Sequence, residues 1–252
     1  MKEEILNIQG FQVGYKTAGE GPAVLILHGW GSSSASWQSV QVGLTQQGYE
    51  VIIPDLPGFG RSEKPKSPWG IEEYRVFVEE FVDALGLKEF YLLGHSFGGG
   101  LALAYTAKNP ERVKKLFLVA AAIRREKSLR KHILRTAAKI GKFFSFLPFY
   151  ALFRKAVYKY IIRTSDYPYQ KGIMKDIYLK VIGQDLSPLL SEVKVPTVIL
   201  WGEKDDVVSV EDAYFIKKHI TDSKLTLFPE GDHDIEQKMP QAFTQKILEF
   251  LY

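Results

Sequence analysis

A chain of 252 residues, 46% hydrophobic and 25% charged, carries enough apolar material for one sizeable core, since a chain this long buries about 70–75% of its extended surface on folding. It has no cysteine, which excludes disulfide frameworks, thiolate metal sites and redox dithiols and leaves the redox compartment open. The net charge of +4 is unevenly spread: residues 123–194 hold 16 Lys or Arg against 5 Asp or Glu, a net of +11, so the remainder carries −7. With the basic character confined to one segment and no recognised binding motif, a nucleic-acid partner is not expected.

The opening MKEEILNIQG has two acidic residues and no apolar run of seven or more, so no secretory signal is read there and a cytoplasmic location is the expectation. Residues 4–8 and 11–15 alternate apolar and polar across Gln9-Gly10, which predicts an antiparallel hairpin. Nearly continuous apolar runs follow at 23–27, 49–54, 89–93, 116–120, 198–201 and 225–228, as expected of strands covered on both faces. Helical patterns lie between them at 35–47, 71–85, 97–107, 210–218 and 240–251. Alternation of this kind predicts an α/β protein with a mostly parallel sheet.

Residues 123–194 break the alternation with helical stretches rich in Lys, Arg, Phe and Tyr and no strand pattern. A stretch of that length inside a compact domain must carry structure of its own. The expected organisation is a core of residues 1–122 and 195–252 with a helical cap inserted at 123–194. The longest uncharged run of the insert, residues 143–153, is 11 residues long and contains Pro148, against about 20 for a spanning helix.

The chemistry gathers around Gly94-His95-Ser96-Phe97-Gly98, a G-x-S-x-G between a strand and a helix. Such a turn lifts the serine hydroxyl above the sheet, requires small residues on either side, and points helix N-terminal N–H groups at developing negative charge. A dinucleotide site is excluded because Ser96 stands where a second glycine is needed, and no P-loop is present. A serine hydroxyl needs a base within hydrogen-bond reach and a third group to orient that base. Among five histidines, His132 and His219 fall in helical patterns, whereas His28, His95 and His233 follow strands, where reactive residues of open α/β sheets collect. His95 is expected to point away from the serine and pack. His28 is expected to fix its Gly-rich loop, and it also stands as a candidate lining the substrate pocket. His233, between Asp232 and Asp234, is the expected base. Asp205 is the expected acid, with Asp206 open as a substitute, because Ser, then Asp, then His is the chain order for this kind of hydrolase.

With these residues assembled, the chain resembles the α/β-hydrolase superfamily over essentially its full length, in particular the branch of lipases, carboxylesterases and ring-cleavage-product hydrolases. The resemblance is carried by His28-Gly29-Trp30-Gly31, by Asp55-Leu56-Pro57-Gly58-Phe59-Gly60-Arg61-Ser62, by the serine motif, by Trp201-Gly202-Glu203-Lys204-Asp205 and by Gly231-Asp232-His233. It implies an eight-stranded, mostly parallel sheet with a helical cap after the sixth strand, and an oxyanion hole formed by the backbone N–H groups of Trp30 and Phe97. Acidic neighbours on both sides of His233 depart from the family pattern and are expected to raise the imidazole pKa. A serine nucleophile argues against epoxide opening and halide removal, and His95, where carbon–carbon hydrolases often have Asn, leans toward esters.

The expected activity is hydrolysis of small to medium carboxylic esters by a serine carboxylesterase, with no cofactor and no metal. Carbon–carbon bond hydrolysis of ring-cleavage products, perhydrolysis, and small-molecule reception on the same fold are the alternatives. Phe143, Phe146, Phe149 and Tyr150 are candidates for lining an acyl pocket. Peripheral membrane contact through the basic aromatic cap is conceivable but not favoured. Sequence leaves the oligomeric state undetermined.

Overall fold

The computed structural model describes residues 2–8, 10–125 and 172–251. Eight strands form one sheet: β1 (Lys2–Ile8), β2 (Phe11–Ala18), β3 (Ala23–Leu27), β4 (Glu50–Pro54), β5 (Phe90–His95), β6 (Val113–Val119), β7 (Thr197–Gly202) and β8 (Ser223–Phe228). Their order is β1-β2-β4-β3-β5-β6-β7-β8. β2 pairs antiparallel with both its neighbours, and every pairing from β4 to β8 is parallel. The expected hairpin and the mostly parallel sheet are both present.

Side chains alternate across a strand, so each apolar run supplies two cores. Leu25, Leu27, Leu92, Leu116, Leu118, Ile199 and Trp201 face one side. That side is covered by α2 (Ile71–Ala84), α3 (Phe97–Lys108) and α5 (Val210–His219). Val24, Ile26, Leu93, Phe117, Val119, Val198 and Leu200 face the other, under α1 (Gln38–Thr45) and α7 (Pro240–Leu251). β3 and β7 are buried along their whole length, which explains why they read as unbroken apolar runs.

Two strands begin earlier than expected, and charged residues are the cause. β6 begins at Val113, before the expected start, because Lys114 and Lys115 sit in the sheet with their ammonium groups led away, Lys114 toward Glu89 and Lys115 toward the Phe250 carbonyl. β8 likewise begins two residues early, at Ser223, beside Lys224. The helix expected over 35–47 divides into a single 3₁₀ turn, Ser34–Trp37, capped by Ser33, and then α1.

Of the expected insert, residues 126–171 lie outside the described residues, and with them Phe143, Phe146, Phe149 and Tyr150. Its described end forms α4 (Ile173–Ile182) and a 3₁₀ turn at Ser187–Glu192. This end is anchored to the core: Gln184 accepts the Ile71 N–H at the head of α2 at 2.8 Å, and the Leu186 N–H donates to the Ile123 carbonyl at 2.9 Å. Among the described residues no helix is long and apolar enough to cross a membrane.

Candidate active site

Parallel strands that all point one way deliver their following loops to one edge of the sheet. His28 follows β3, Asp55 follows β4, Ser96 follows β5, Asp205 lies just past β7 and His233 past β8. Ser96 sits at the turn from β5 into α3 with φ 52° and ψ −115°, a backbone conformation that costs an L-residue about 1–3 kcal/mol. The neighbouring backbone holds it there. Its N–H donates to Val119 at 2.9 Å, and its carbonyl accepts from Gly99 at 3.0 Å, Gly100 at 3.2 Å and Ala122 at 3.0 Å. The turn is so tight that a Cβ on Gly94 would strike the Gly98 carbonyl, and one on Gly98 would strike the carbonyls of Leu27 and His28.

The Ser96 hydroxyl meets Nε2 of His233 at 3.0 Å, and Nδ1 of His233 meets Oδ2 of Asp205 at 2.8 Å. The Asp205 side chain is fully buried. Its other oxygen accepts the N–H groups of Val207 and Val208, both at 2.8 Å, so both carboxylate oxygens are engaged and the orientation is set. Asp206, the substitute left open by the sequence, is exposed. Burial opposes a charge on His233, but the hydrogen bond and charge of Asp205, joined by Asp234 and Glu236, outweigh it and hold the imidazole above its ordinary value. Of the two flanking aspartates, Asp234 acts in the expected direction, whereas Asp232 is engaged with Lys238.

The remaining histidines take framework positions. His28 is fully buried, its Nδ1 donating to the Gly29 carbonyl at 2.7 Å and its Nε2 accepting the Leu56 N–H at 2.9 Å. Burial pushes its pKa down to about 4. Both nitrogens are consumed by backbone, so the pocket role among the expectations for His28 is corrected to a tie between the loops after β3 and β4. The second of these loops is cross-braced by Asp55, which accepts from the N–H groups of Ser34 at 2.7 Å and Arg61 at 2.9 Å. His219 is on α5, hydrogen-bonded to the Phe215 carbonyl, and His132 lies outside the described residues.

Beside the serine stands an aromatic wall. Trp30 packs against Phe59 at 4.9 Å, Tyr178 at 5.2 Å and Phe97 at 5.4 Å between ring centroids. Phe59 belongs to the Asp55–Ser62 motif on which the family resemblance partly rests. Tyr178 on α4 was not anticipated, since nothing local marks one tyrosine of a helix as facing another loop. The N–H of Phe97 heads α3, where no helical acceptor exists for it, and neither it nor the N–H of Trp30 has an acceptor among the described residues. Also among the described residues, ligand atoms of His95, Asp234 and Glu236 lie within 4.8 Å of one another, a grouping of the kind that can hold a metal ion.

A strained serine on a strand-to-helix turn, hydrogen-bonded to a histidine that is backed by a buried carboxylate, is the arrangement of a hydrolase of the α/β fold. The family model for the alpha/beta hydrolase fold matches residues 22–153, and the chain belongs to that family. It is 30% identical to Lipase 1 of Psychrobacter immobilis over 84% of this chain and 71% of that protein. It is 26% identical to the 2-hydroxy-6-oxo-6-phenylhexa-2,4-dienoate hydrolase of Comamonas testosteroni over 97% of this chain and 93% of that one. Among solved structures, the esterase EaEST of Exiguobacterium antarcticum superposes with a TM-score of 0.76 at 23% identity, covering 98% of each chain.

Proposed function

We propose that this hydrolase cleaves carboxylic esters of small to medium acyl chains, with Ser96 as nucleophile, His233 as general base and acid, and Asp205 as the group that orients the imidazole and stabilises its positive charge. The observation that carries the reading is the continuous hydrogen-bond chain from Ser96 through His233 to Asp205, at 3.0 and 2.8 Å, mounted on the strained turn.

The steps follow from where the protons sit. With the Nδ1 proton directed to Asp205, the Nε2 lone pair faces the serine hydroxyl. As Ser96 Oγ attacks the ester carbonyl carbon, His233 takes its proton, and the imidazolium is stabilised by the buried Asp205 carboxylate. The carbonyl oxygen becomes an oxyanion received by the N–H groups of Trp30 and Phe97, a pair of donors of which each is worth about 10²–10³ in turnover. Collapse breaks the bond to the alkoxy group, which leaves as alcohol with the proton from His233. Water, deprotonated by the same nitrogen, then attacks the acyl-Ser96, and the acid departs. The wall of Trp30, Phe59, Phe97 and Tyr178 supports an apolar acyl or aryl group in the substrate.

Steady-state turnover of p-nitrophenyl esters from acetate to palmitate, with native protein beside S96A and intact-mass detection of phosphonate labelling, tests this directly. The expected result is turnover of the shorter esters and a single label in the native protein, both lost in S96A. Labelling at Ser96 without turnover of any ester rejects the ester reading. It would favour carbon–carbon hydrolysis, a reading supported by the Comamonas relative's extent of match and scored by turnover of a ring-cleavage product.

A further inference from the structure

His95 lies immediately before the serine, and its ring is turned away from the hydroxyl, as expected of a packing residue. It does more than fill space. Its Nε2–H donates to the backbone carbonyl of His233 at 2.9 Å, and its ring lies 4.9 Å from the His233 ring, centroid to centroid. On the opposite side, Nδ1 lies 3.8 Å from Oε1 of Glu236. Glu236 belongs to α6 (Ile235–Lys238), the single turn that follows His233, and it is 1% exposed. Trp37 closes on the ring at 6.1 Å. The loop after β3 is a further neighbour: a Cβ on Gly29 would come within 2.9 Å of His95 Nδ1 and 3.3 Å of Ser96 Cβ. One buried ring therefore touches the turn that carries the serine, the loop that carries the histidine and the loop that carries Trp30.

We propose that His95 is a positioning residue for His233, gripping the backbone carbonyl of that residue so that its imidazole meets the serine. The inference rests on the reading of Ser96, His233 and Asp205 as the reacting chain. Asp205 orients the imidazole from its Nδ1 side but leaves the backbone of His233 to be held by something else. The residue lies in a loop rather than in a regular element, so its main chain has no ladder of hydrogen bonds to locate it. A buried N–H donor fixed to the end of β5, one residue from the nucleophile, ties the two reacting side chains to a common base. Misplacement of a reacting group by about 1 Å costs as much as 10²-fold in rate.

Two substitutions separate this role from packing. Gln at position 95 can present an N–H near the place of Nε2, whereas Asn keeps a polar atom near Nδ1 and does not reach the His233 carbonyl. The expectation is that H95Q keeps kcat within about threefold of native, while H95N loses about 10–100-fold in kcat with KM nearly unchanged. The downfield proton resonance of the His233–Asp205 hydrogen bond is expected to shift in H95N and not in H95Q. Equal behaviour of the two variants, whether both native-like or both impaired, overturns the proposal. The resonance needs no substrate: if no ester turns over and yet the proton moves in H95N alone, the positioning role stands and the ester reading falls.

Discussion

The oxygen of Asp205 that does not face His233 accepts two backbone N–H groups, so the carboxylate cannot turn without giving up both. Asp205→Asn keeps the shape but offers an amide whose N–H₂ must point either at those donors or at His233, favouring the unproductive tautomer. A fall in kcat of about 10³–10⁴ is expected, with Asp206→Asn within about twofold of native, measured on a short p-nitrophenyl ester. His233 supplies a second prediction. It must be neutral to accept the serine proton, and its pKa is raised, burial being outweighed by Asp205 and then by Asp234 and Glu236. The acid limb of kcat/KM is therefore expected above the ordinary histidine value of about 6.5. In Asp234→Asn, which removes one raising charge, it moves to lower pH, and an unmoved limb would show that Asp234 contributes nothing. Asp205 was legible from chain order and from its place after a strand. The choice between it and Asp206 was closed only by burial, because adjacent residues in a loop carry no periodicity to tell which points inward.

The turn from β5 to α3 is the element on which the chemistry depends, and its requirement is steric. Gly98 lies against the carbonyls of Leu27 and His28 at the end of β3, so Gly98→Ala must push two strands apart or displace the serine. The expected outcome is a loss of about 2–3 kcal/mol, read as a fall in Tm of about 4–12 °C, together with loss of phosphonate labelling. A variant with native Tm and native labelling would show that the turn relaxes freely. α4 teaches a different lesson. Its Met174 side chain reaches Gly58 and its Tyr178 lies on Trp30, bringing α4 to the loops after β3 and β4. Tyr178→Ala is expected to raise KM for an aryl or medium-chain ester several-fold while leaving acetate turnover nearly unchanged. A helix read from sequence shows which residues share a face, but not which distant loop that face will meet, and for this reason Tyr178 was invisible beforehand.

Across the whole molecule, two histidines impose opposite limbs on stability. His28 has a folded pKa of about 4 against 6.5 as its reference value, through burial. The unfolded chain thus takes up a proton that the folded one refuses, and stability present above about 6.5 is lost as pH falls toward 4, by about 3 kcal/mol. His233 is raised, so its contribution is fully present below about 6.5 and is lost as pH rises through its folded value. Urea unfolding across pH 4–8 is expected to show His28→Gln with a shallower loss on the acid side and His233→Gln with a shallower loss on the alkaline side. Unchanged slopes in both would remove the two rings as the source. By itself the sequence determined the alternation of strands and helices, the hairpin, the serine turn and the chain order of Ser96, Asp205 and His233, which the fold joins in one hydrogen-bond chain. Each of these is written in local terms: period, turn chemistry and residue type at the end of a strand. The tertiary structure decided which carboxylate is buried, that His28 spends both nitrogens on backbone, that His95 reaches the His233 carbonyl, and that Tyr178 joins the wall around Trp30. Those contacts join residues far apart in the chain, His95 to His233 and Trp30 to Tyr178, and no local pattern encodes a distance that exists only after the sheet has brought its strand ends to one edge.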